Sequence, residues 1–277
     1  MLRYREIRPA EALRQFIDTF WLLEQDAAER SPQRVVPDGR CELILNWGQP
    51  FESFGDGGWR RQPDCFLAGQ IEGPLLLRPS GPAKMLGVRF HPDGAARWFG
   101  GCMHELAGRF TPVDDLSPAL AHRIGHSLDH SDPVASVEGA FASCTARAPD
   151  VLVAEAVRRI VHAKGASDLA ALARELGLST RQFERRFQAA TGLPPKLFCL
   201  IQRFSGVFRA LEDGSRNWAE VAIRCGYYDQ AHLIRDCKRL SGHTPAILLA
   251  EDADLARHFC RRSAMSHSSN TRRATTA

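Results

Sequence analysis

Residues 168–195 read DLAALARELGLSTRQFERRFQAATGLPP, and this stretch decides the class of the C-terminal half of the chain. Leu169, Leu172, Ala173 and Leu176 fall at i, i+3, i+4 and i+7, the apolar stripe of a short helix, with Ser167 as its expected N-cap. Gly177 ends that helix, because glycine accepts the left-handed conformation found just past a helix terminus. Ser179 is placed to cap a second helix, in which Phe183, Phe187 and Ala190 share one face. Arg181, Glu184, Arg185 and Gln188 take the opposite face. An aromatic inner side and an outer side of guanidinium, carboxylate and amide groups suit a helix that enters the major groove of DNA. Two helices with a glycine turn also occur in many all-α proteins, so the pattern alone does not decide the matter.

A second copy does. Residues 218–245, WAEVAIRCGYYDQAHLIRDCKRLSGHTP, repeat the plan. Ala173 and Gly177 align with Ala222 and Gly226, and Ser179, Phe183, Phe187, Gly192 and Pro195 align with Asp229, Leu233, Cys237, Gly242 and Pro245, so the second turn is one residue longer. Leu233, Cys237 and Leu240 form the expected inward stripe, with His232, Arg235, Asp236 and Arg239 outward. Between the copies a linking helix is expected from Pro195, well suited to the first helical position, to a stop at Asp213-Gly214, with Phe198, Ile201, Phe204, Phe208 and Leu211 inward. Two such units on one rigid helix can present two recognition helices about one DNA turn apart, roughly 34 Å.

These residues resemble the DNA-binding domain of the AraC/XylS transcription regulators. The resemblance runs from about Val153 to Leu249, through LA-x-x-LG-x-S-x-R-x-x-x-R-x-F, the G-x-x-P-K that follows, and above all CGYYDQAHLIRDCKRLSGHTP. It implies base-facing roles for Arg181, Glu184 and Arg185 in the first unit and for Gln230, Ala231, His232 and Arg235 in the second. Arg186, Lys196, Lys238 and Arg239, together with helix N-termini, are the expected phosphate contacts. Cys237 departs from the family's usual Phe, and Ser205-Gly206 interrupts the linking helix, where Gly costs about 1 kcal/mol relative to Ala.

Charge divides along the chain. Residues 151–277 hold 20 Lys+Arg against 12 Asp+Glu, whereas residues 1–150 hold 16 against 20. A basic back half and an acidic front half suggest that only the back half meets phosphate. The eight cysteines stand apart, without C-x-x-C or Cys-His zinc spacing, so reduced thiols and no metal are expected. No signal peptide and no run long enough to span a bilayer is visible, and the expected location is cytoplasmic.

The front half reads as short apolar runs, Arg34 to Val36, Cys41 to Trp47, Cys65 to Gln70, Leu75 to Arg78 and Met85 to Phe90. Turn signatures separate them at Pro37-Asp38-Gly39 and at residues 54–58. This predicts a small antiparallel sheet or barrel. Ala10 to Leu23 keeps helical spacing but ends in a strand-like FWLLE, residues 95–99 read as a helix, and Thr111-Pro112 reads as a turn. Over residues 3–116, V-x-PDG-x-x-ELI-x-N-x-G, FLAGQ and LGVRFHPDG resemble an uncharacterised sensor-like domain of some AraC-type regulators. Leu43, Leu45, Trp47, Phe66, Val88 and Phe90 are the candidate lining of a ligand pocket, although strand alternation leaves open which face is inside. His91, Asp93, Asp38, Glu42 and Arg89 can be read as an acid/base or metal set, but Pro-Asp-Gly used twice is what tight turns require, and no catalytic residue is expected. Leu120, Ile124 and Leu128, then Val134, Val137, Phe141 and Cys144, are stripes of a helical hairpin that either packs internally or pairs two copies.

The predicted fold class is therefore α+β: a β-rich domain with helices over residues 1–115, a helical connector over 116–148, a linker at 146–150, an all-α double helix-turn-helix domain over 151–250, and a disordered tail over 255–277. The expected function is sequence-specific regulation of transcription without a cofactor, under control of a ligand or partner at the front domain. Double-stranded DNA, a small-molecule effector, a second copy of the chain and, for an activator, RNA polymerase are the expected partners; no membrane is. The alternative is an enzyme or small-molecule-binding protein whose C-terminal helices make protein contacts.

Overall fold

The computed structural model describes residues 2–26, 31–125, 131–212 and 217–250. The front half is built on two antiparallel sheets. Six strands, β1 (Leu2–Ile7), β2 (Ile17–Gln25), β9 (Ala83–Phe90), β4 (Glu42–Asn46), β7 (Cys65–Ala68) and β10 (Phe110–Pro112), are hydrogen-bonded in that order. The second sheet has four, β3 (Gln33–Val35), β8 (Leu75–Pro79), β5 (Phe51–Gly55) and β6 (Gly58–Arg61). Every expected apolar run contains a strand. The glycine-rich residues 54–58 form the tip of the β5–β6 hairpin, with Gly58 at φ 96°.

Short helices α1 (Ala96–Phe99), α2 (Val113–Leu116), α3 (Pro118–Gly125) and α4 (Pro133–Ser143) accompany the larger sheet. Period-two alternation sends Leu43, Leu45, Val88 and Phe90 to one face, where they are buried with Leu120, Ile124, Val137 and Phe141 of α3 and α4. The stripes that could have paired two copies are thus covered within the chain; Leu128 lies outside the described residues. The intervening residues Trp21, Leu23, Ile44, Phe66 and Met85 face the other way and pack with Phe51 and Leu77 of the smaller sheet. Gly87 is needed there because the Trp21 indole lies across it, and a β-carbon would sit 1.9 Å from the ring.

One boundary that the sequence leaves open is settled, and one local expectation is corrected. Residues 10–23 are a 3-10 turn at Glu11–Leu13 followed by β2, because pairing of Ile17–Gln25 with β9 outweighs a weak helical period. Thr111-Pro112 ends strand β10, and proline is tolerated there because the strand lies on the sheet edge.

The back half is helical: α5 (Val151–His162), α6 (Leu169–Glu175), α7 (Thr180–Thr191), α8 (Pro195–Glu212), α9 (Trp218–Arg224), α10 (Gln230–Ser241) and α11 (Pro245–Ala250). The N-cap of α6 is Asp168, not Ser167; its carboxylate accepts from the backbone N–H groups of Ala170 and Ala171, both at 3.0 Å. Ser179 and Gln182 form a reciprocal capping box on α7, and Asp229 accepts from His232 N at 2.7 Å to open α10. Phe183, Phe187, Phe198, Phe204, Leu233, Cys237 and Leu240 share one buried core. Helix α8 runs unbroken through Ser205-Gly206: Ser205 Oγ donates to Ile201 O at 3.0 Å, and the bare Gly206 lets α9 approach until a β-carbon would lie 3.7 Å from Cys225 Sγ. The expected stop at residues 213–214 and the tail from 255 lie outside the described residues.

Candidate nucleic-acid interface and effector cavity

Helices α7 and α10 each follow a short helix, and each is fixed by a capped N-terminus and a left-handed glycine at its C-terminus, Gly192 at φ 90° and Gly242 at φ 78°. The aromatic and aliphatic stripe of each is buried, so the residues between must face out. Arg181, Glu184 and Arg185 are exposed on α7, and Gln230, Ala231 and Arg235 on α10. His232 is half-buried, its ring edge-on to Tyr227 with centroids 5.2 Å apart. Lys196, Lys238 and Arg239 are exposed.

Two outward assignments change. Asp236 is buried and lies 3.5 Å from His232 Nε2, because the turn of α10 that carries it packs toward Tyr227. Arg186, expected at a phosphate, makes a bidentate pair with Asp150 at 2.7 and 2.8 Å, and the same carboxylate caps α5. The guanidinium lowers the Asp150 pKa against the opposing effect of burial. Arg186 therefore binds α7 to the start of α5, in the segment expected as a linker.

The front half touches both recognition helices at their C-terminal ends. A β-carbon on Gly192 would lie 3.2 Å from Gln70 Cγ and 3.2 Å from the carbonyl oxygen of Met103. At the equivalent Gly242 it would lie 3.4 Å from Arg34 Nη1 and 3.7 Å from Pro74 Cγ. Arg34 also donates from Nη1 to Ser241 O at 3.1 Å, and its Nη2 lies 2.7 Å from His243 Nε2. The N-terminal turns, which hold the outward Arg, Gln and His side chains, are left uncovered by the described residues.

Two straps make these contacts, residues 34–40 and 69–75, and each has residues on the DNA-binding half and residues on a cavity. In the first, Arg34 reaches α10, Val36 enters the helical core, and Gly39 at φ 80° lies so close to α8 that a β-carbon would meet Phe198 at 2.9 Å and Gln202 at 3.0 Å. Val35, Val36, Asp38 and Arg40 of the same strap line a cavity of about 110 Å³ between the two sheets. In the second strap Gln70 and Pro74 meet the recognition helices, while Gly69, Ile71 and Leu75 line the cavity. The Gln70 side-chain amide is buried, and neither its nitrogen nor its oxygen has a hydrogen-bond partner among the described residues. Such a group costs about 1–3 kcal/mol.

Of the six residues expected to line a ligand pocket, only Phe66 reaches this cavity. Leu43, Leu45, Val88 and Phe90 are on the opposite face of the sheet, in the core under α3 and α4, and Trp47 is partly exposed beside β1. The cavity instead takes Ile44 and Met85 from the alternate register. Within the residues first read as an acid/base set, Asp38, Glu42 and Arg89 do come together: Arg89 Nε donates to Glu42 Oε1 at 2.6 Å, and Asp38 acts electrostatically on Arg89. His91 and Asp93 do not join them. The His91 ring lies 3.0 Å from Arg14 O, and Asp93 lines the groove beside Arg97 and Asp150.

Among the described residues no group of three or more His, Cys, Asp or Glu is placed to hold a metal ion, and seven free cysteines are present. Burial pushes the Cys41 and Cys237 thiols up to about 12, so neither offers a reactive thiolate at neutral pH. No helix among the described residues is long and apolar enough to cross a membrane.

A family model described as a helix-turn-helix domain matches residues 172–250, which span both two-helix units. The chain carries an AraC-type helix-turn-helix domain. That domain is of a kind that binds DNA in transcription regulators. Residues 5–112 match a second family, described as a domain of unknown function, DUF6597. No curated protein matches the sequence. Among solved structures, ToxT from Vibrio cholerae is similar at 7% identity over 90% of this chain and 98% of that chain, with a TM-score of 0.45. Unsaturated fatty acid bound wild-type ToxT from V. cholerae strain SCE256 is similar at 11% identity over 83% and 94%, with a TM-score of 0.45. The AraC-like transcriptional activator CuxR is similar at 14% identity over 78% and 87%, with a TM-score of 0.29.

Proposed function

We propose that this regulator reads its promoter with α7 and α10 together, and that occupancy of the cavity between its two sheets sets how those helices are held. Arg181, Glu184 and Arg185 on one helix and Gln230, Ala231, His232 and Arg235 on the other take base edges; Lys196, Lys238 and Arg239 take phosphates. The observation that carries this reading is the pair of straps. Each joins a cavity wall to the C-terminal end of a recognition helix and leaves the N-terminal, base-reading turns open. An occupant that shifts Val35, Asp38 or Ile71 moves residues one position away that rest on α8, α10 and α7. The protein is then a cytoplasmic one-component switch, with RNA polymerase as partner if it activates. Pairing of two copies would use a surface other than the α3–α4 stripe, which is already covered.

The test is selection of duplexes from a random pool by the full chain. Recovered sites should contain two elements about 10–10.5 base pairs apart. A single short element, or no salt-dependent binding to any duplex, refutes the two-helix reading.

A further inference from the structure

The cavity's polar end identifies the chemistry of its occupant. Its walls are mostly apolar, with Ile44, Phe51, Phe66 and Met85 among them, and the charged groups on it are Asp38, Glu42 and Arg40. Both guanidiniums in this region are already engaged by carboxylates. Arg40 Nη1 lies 3.0 Å from Asp18 Oδ2, with both side chains buried, and Arg89, fully buried behind the wall, holds Glu42 at 2.6 Å. Asp38 is the third carboxylate beside these two cations. It accepts from the Arg40 backbone N–H at 3.0 Å and stands in the field of Arg89, Arg40 and Asp18. Tyr4, which donates to Glu6 Oε1 at 3.0 Å, also interacts electrostatically with Arg89. The site thus has an acidic excess at one end of an apolar chamber. An anion entering it would meet carboxylates whose cations are spent.

Resting on the reading of this cavity as the effector site, we infer that its occupant is a small apolar ammonium cation, with the nitrogen at Asp38 and the hydrocarbon against Ile44, Phe66 and Met85. The size follows from the volume: an apolar cavity of about 150 Å³ accommodates the six heavy atoms of benzene, so about 110 Å³ suits an amine of about four heavy atoms. The same geometry couples occupancy to DNA, since Gly39, next to Asp38, is the residue pressed on Phe198 of α8. Burial pushes the Asp38 and Glu42 carboxyls above the ordinary range, and a cation placed between them reverses that pressure.

Three probes with one carbon skeleton, propylammonium, propanol and propionate, are added to the full chain at neutral pH, and the thermal midpoint is titrated against each. The amine should bind about tenfold more tightly than the alcohol, as one charge-assisted hydrogen bond in a dry site requires, and propionate most weakly. Asp38→Asn should remove the amine's preference and keep alcohol binding; an unchanged preference overturns the assignment. Should that variant not fold, the ranking of the three probes on the unmodified chain decides alone. Alcohol or propionate binding more tightly than the amine overturns the ammonium assignment and leaves the effector cavity standing. No shift with any of the three overturns both.

Discussion

Replacing Gly192 by alanine isolates the docking of the front half on a recognition helix, and Gly177 supplies its control. Both are left-handed glycines after a helix, at φ 90° and 71°. An alanine pays about 1–2 kcal/mol for that conformation and recovers about 0.4–1 kcal/mol through the reduced freedom of the unfolded chain. The net backbone cost is therefore about 1 kcal/mol at either site. At Gly177 nothing lies within 4 Å of the new β-carbon, so the backbone cost stands alone. At Gly192 the methyl would meet Gln70 Cγ and the Met103 carbonyl oxygen at 3.2 Å. Met103 is fully buried and its carbonyl belongs to a backbone turn, so the contact relaxes only if that turn moves off α7. Overpacking of this kind costs about 1–3 kcal/mol more. At about 2–4 °C per kcal/mol for a chain approaching this length, Gly177→Ala should lower the midpoint of the full protein by about 2–4 °C and Gly192→Ala by about 5–15 °C. Hydrogen exchange should then show faster opening at residues 103–106 in the second variant alone. Equal midpoints for the two variants would refute the docking of Met103 and Gln70 on α7, and with it the route from cavity to helix.

Other perturbations test separate parts of the structure. Arg235→Ala should weaken binding to the selected site by about 1–3 kcal/mol while leaving binding to random duplex nearly intact; equal loss on both would move Arg235 to the phosphate class. Lys238→Ala should instead reduce the slope of log affinity against log salt by about 0.9, and an unaltered slope argues against a phosphate contact. Phe187→Ala removes a fully buried ring that packs on Phe183 and Phe198 at 5.7 and 5.4 Å, and should cost about 3–5 kcal/mol in thermal or denaturant unfolding. Asp38→Asn should stabilise the ligand-free protein with a specific pH dependence. Burial raises the folded-state pKa above the unfolded value of 3.8, so aspartate and asparagine are equally neutral below 3.8, and the advantage of asparagine grows as pH rises from 3.8 toward the folded value and levels off above it. A constant difference across that range would show that Asp38 is not held in a desolvating site.

The helical half was largely legible because its determinants are local. Apolar spacing of three and four, Ser179 and Asp229 at helix starts, and glycine after each helix depend on neighbours within one or two turns. The repeat made the reading secure, and the extra residue in the second turn appears in the structure as a five-residue gap between α9 and α10 against four between α6 and α7. Errors within this half arose where a long-range partner intervenes. Arg186 has the spacing of a surface residue on α7, but Asp150 claims its guanidinium from 36 positions away. Asp236 falls on the polar stripe by periodicity, yet it is buried beside Tyr227.

The front half was legible as strands and turns but not as a site. Alternation along β4 and β9 separates two faces without ranking them, because both are covered: one by helices, the other by the second sheet. The candidate lining therefore fell on the wrong register for all but Phe66. The Pro-Asp-Gly signature was correctly a turn, with Gly39 at positive φ, but its role as a strap against α8 had no local signal.

By itself the sequence determined the two helix-turn-helix units, their caps, the basic half that holds them and the strands of the front half, since propensity, period and capping act over a few residues. Only the tertiary structure decided that residues 34–40 and 69–75 join a cavity to both recognition helices. Contacts such as Arg34 to Ser241 span 207 residues, and their energy comes from groups brought together by folding, which no local pattern encodes.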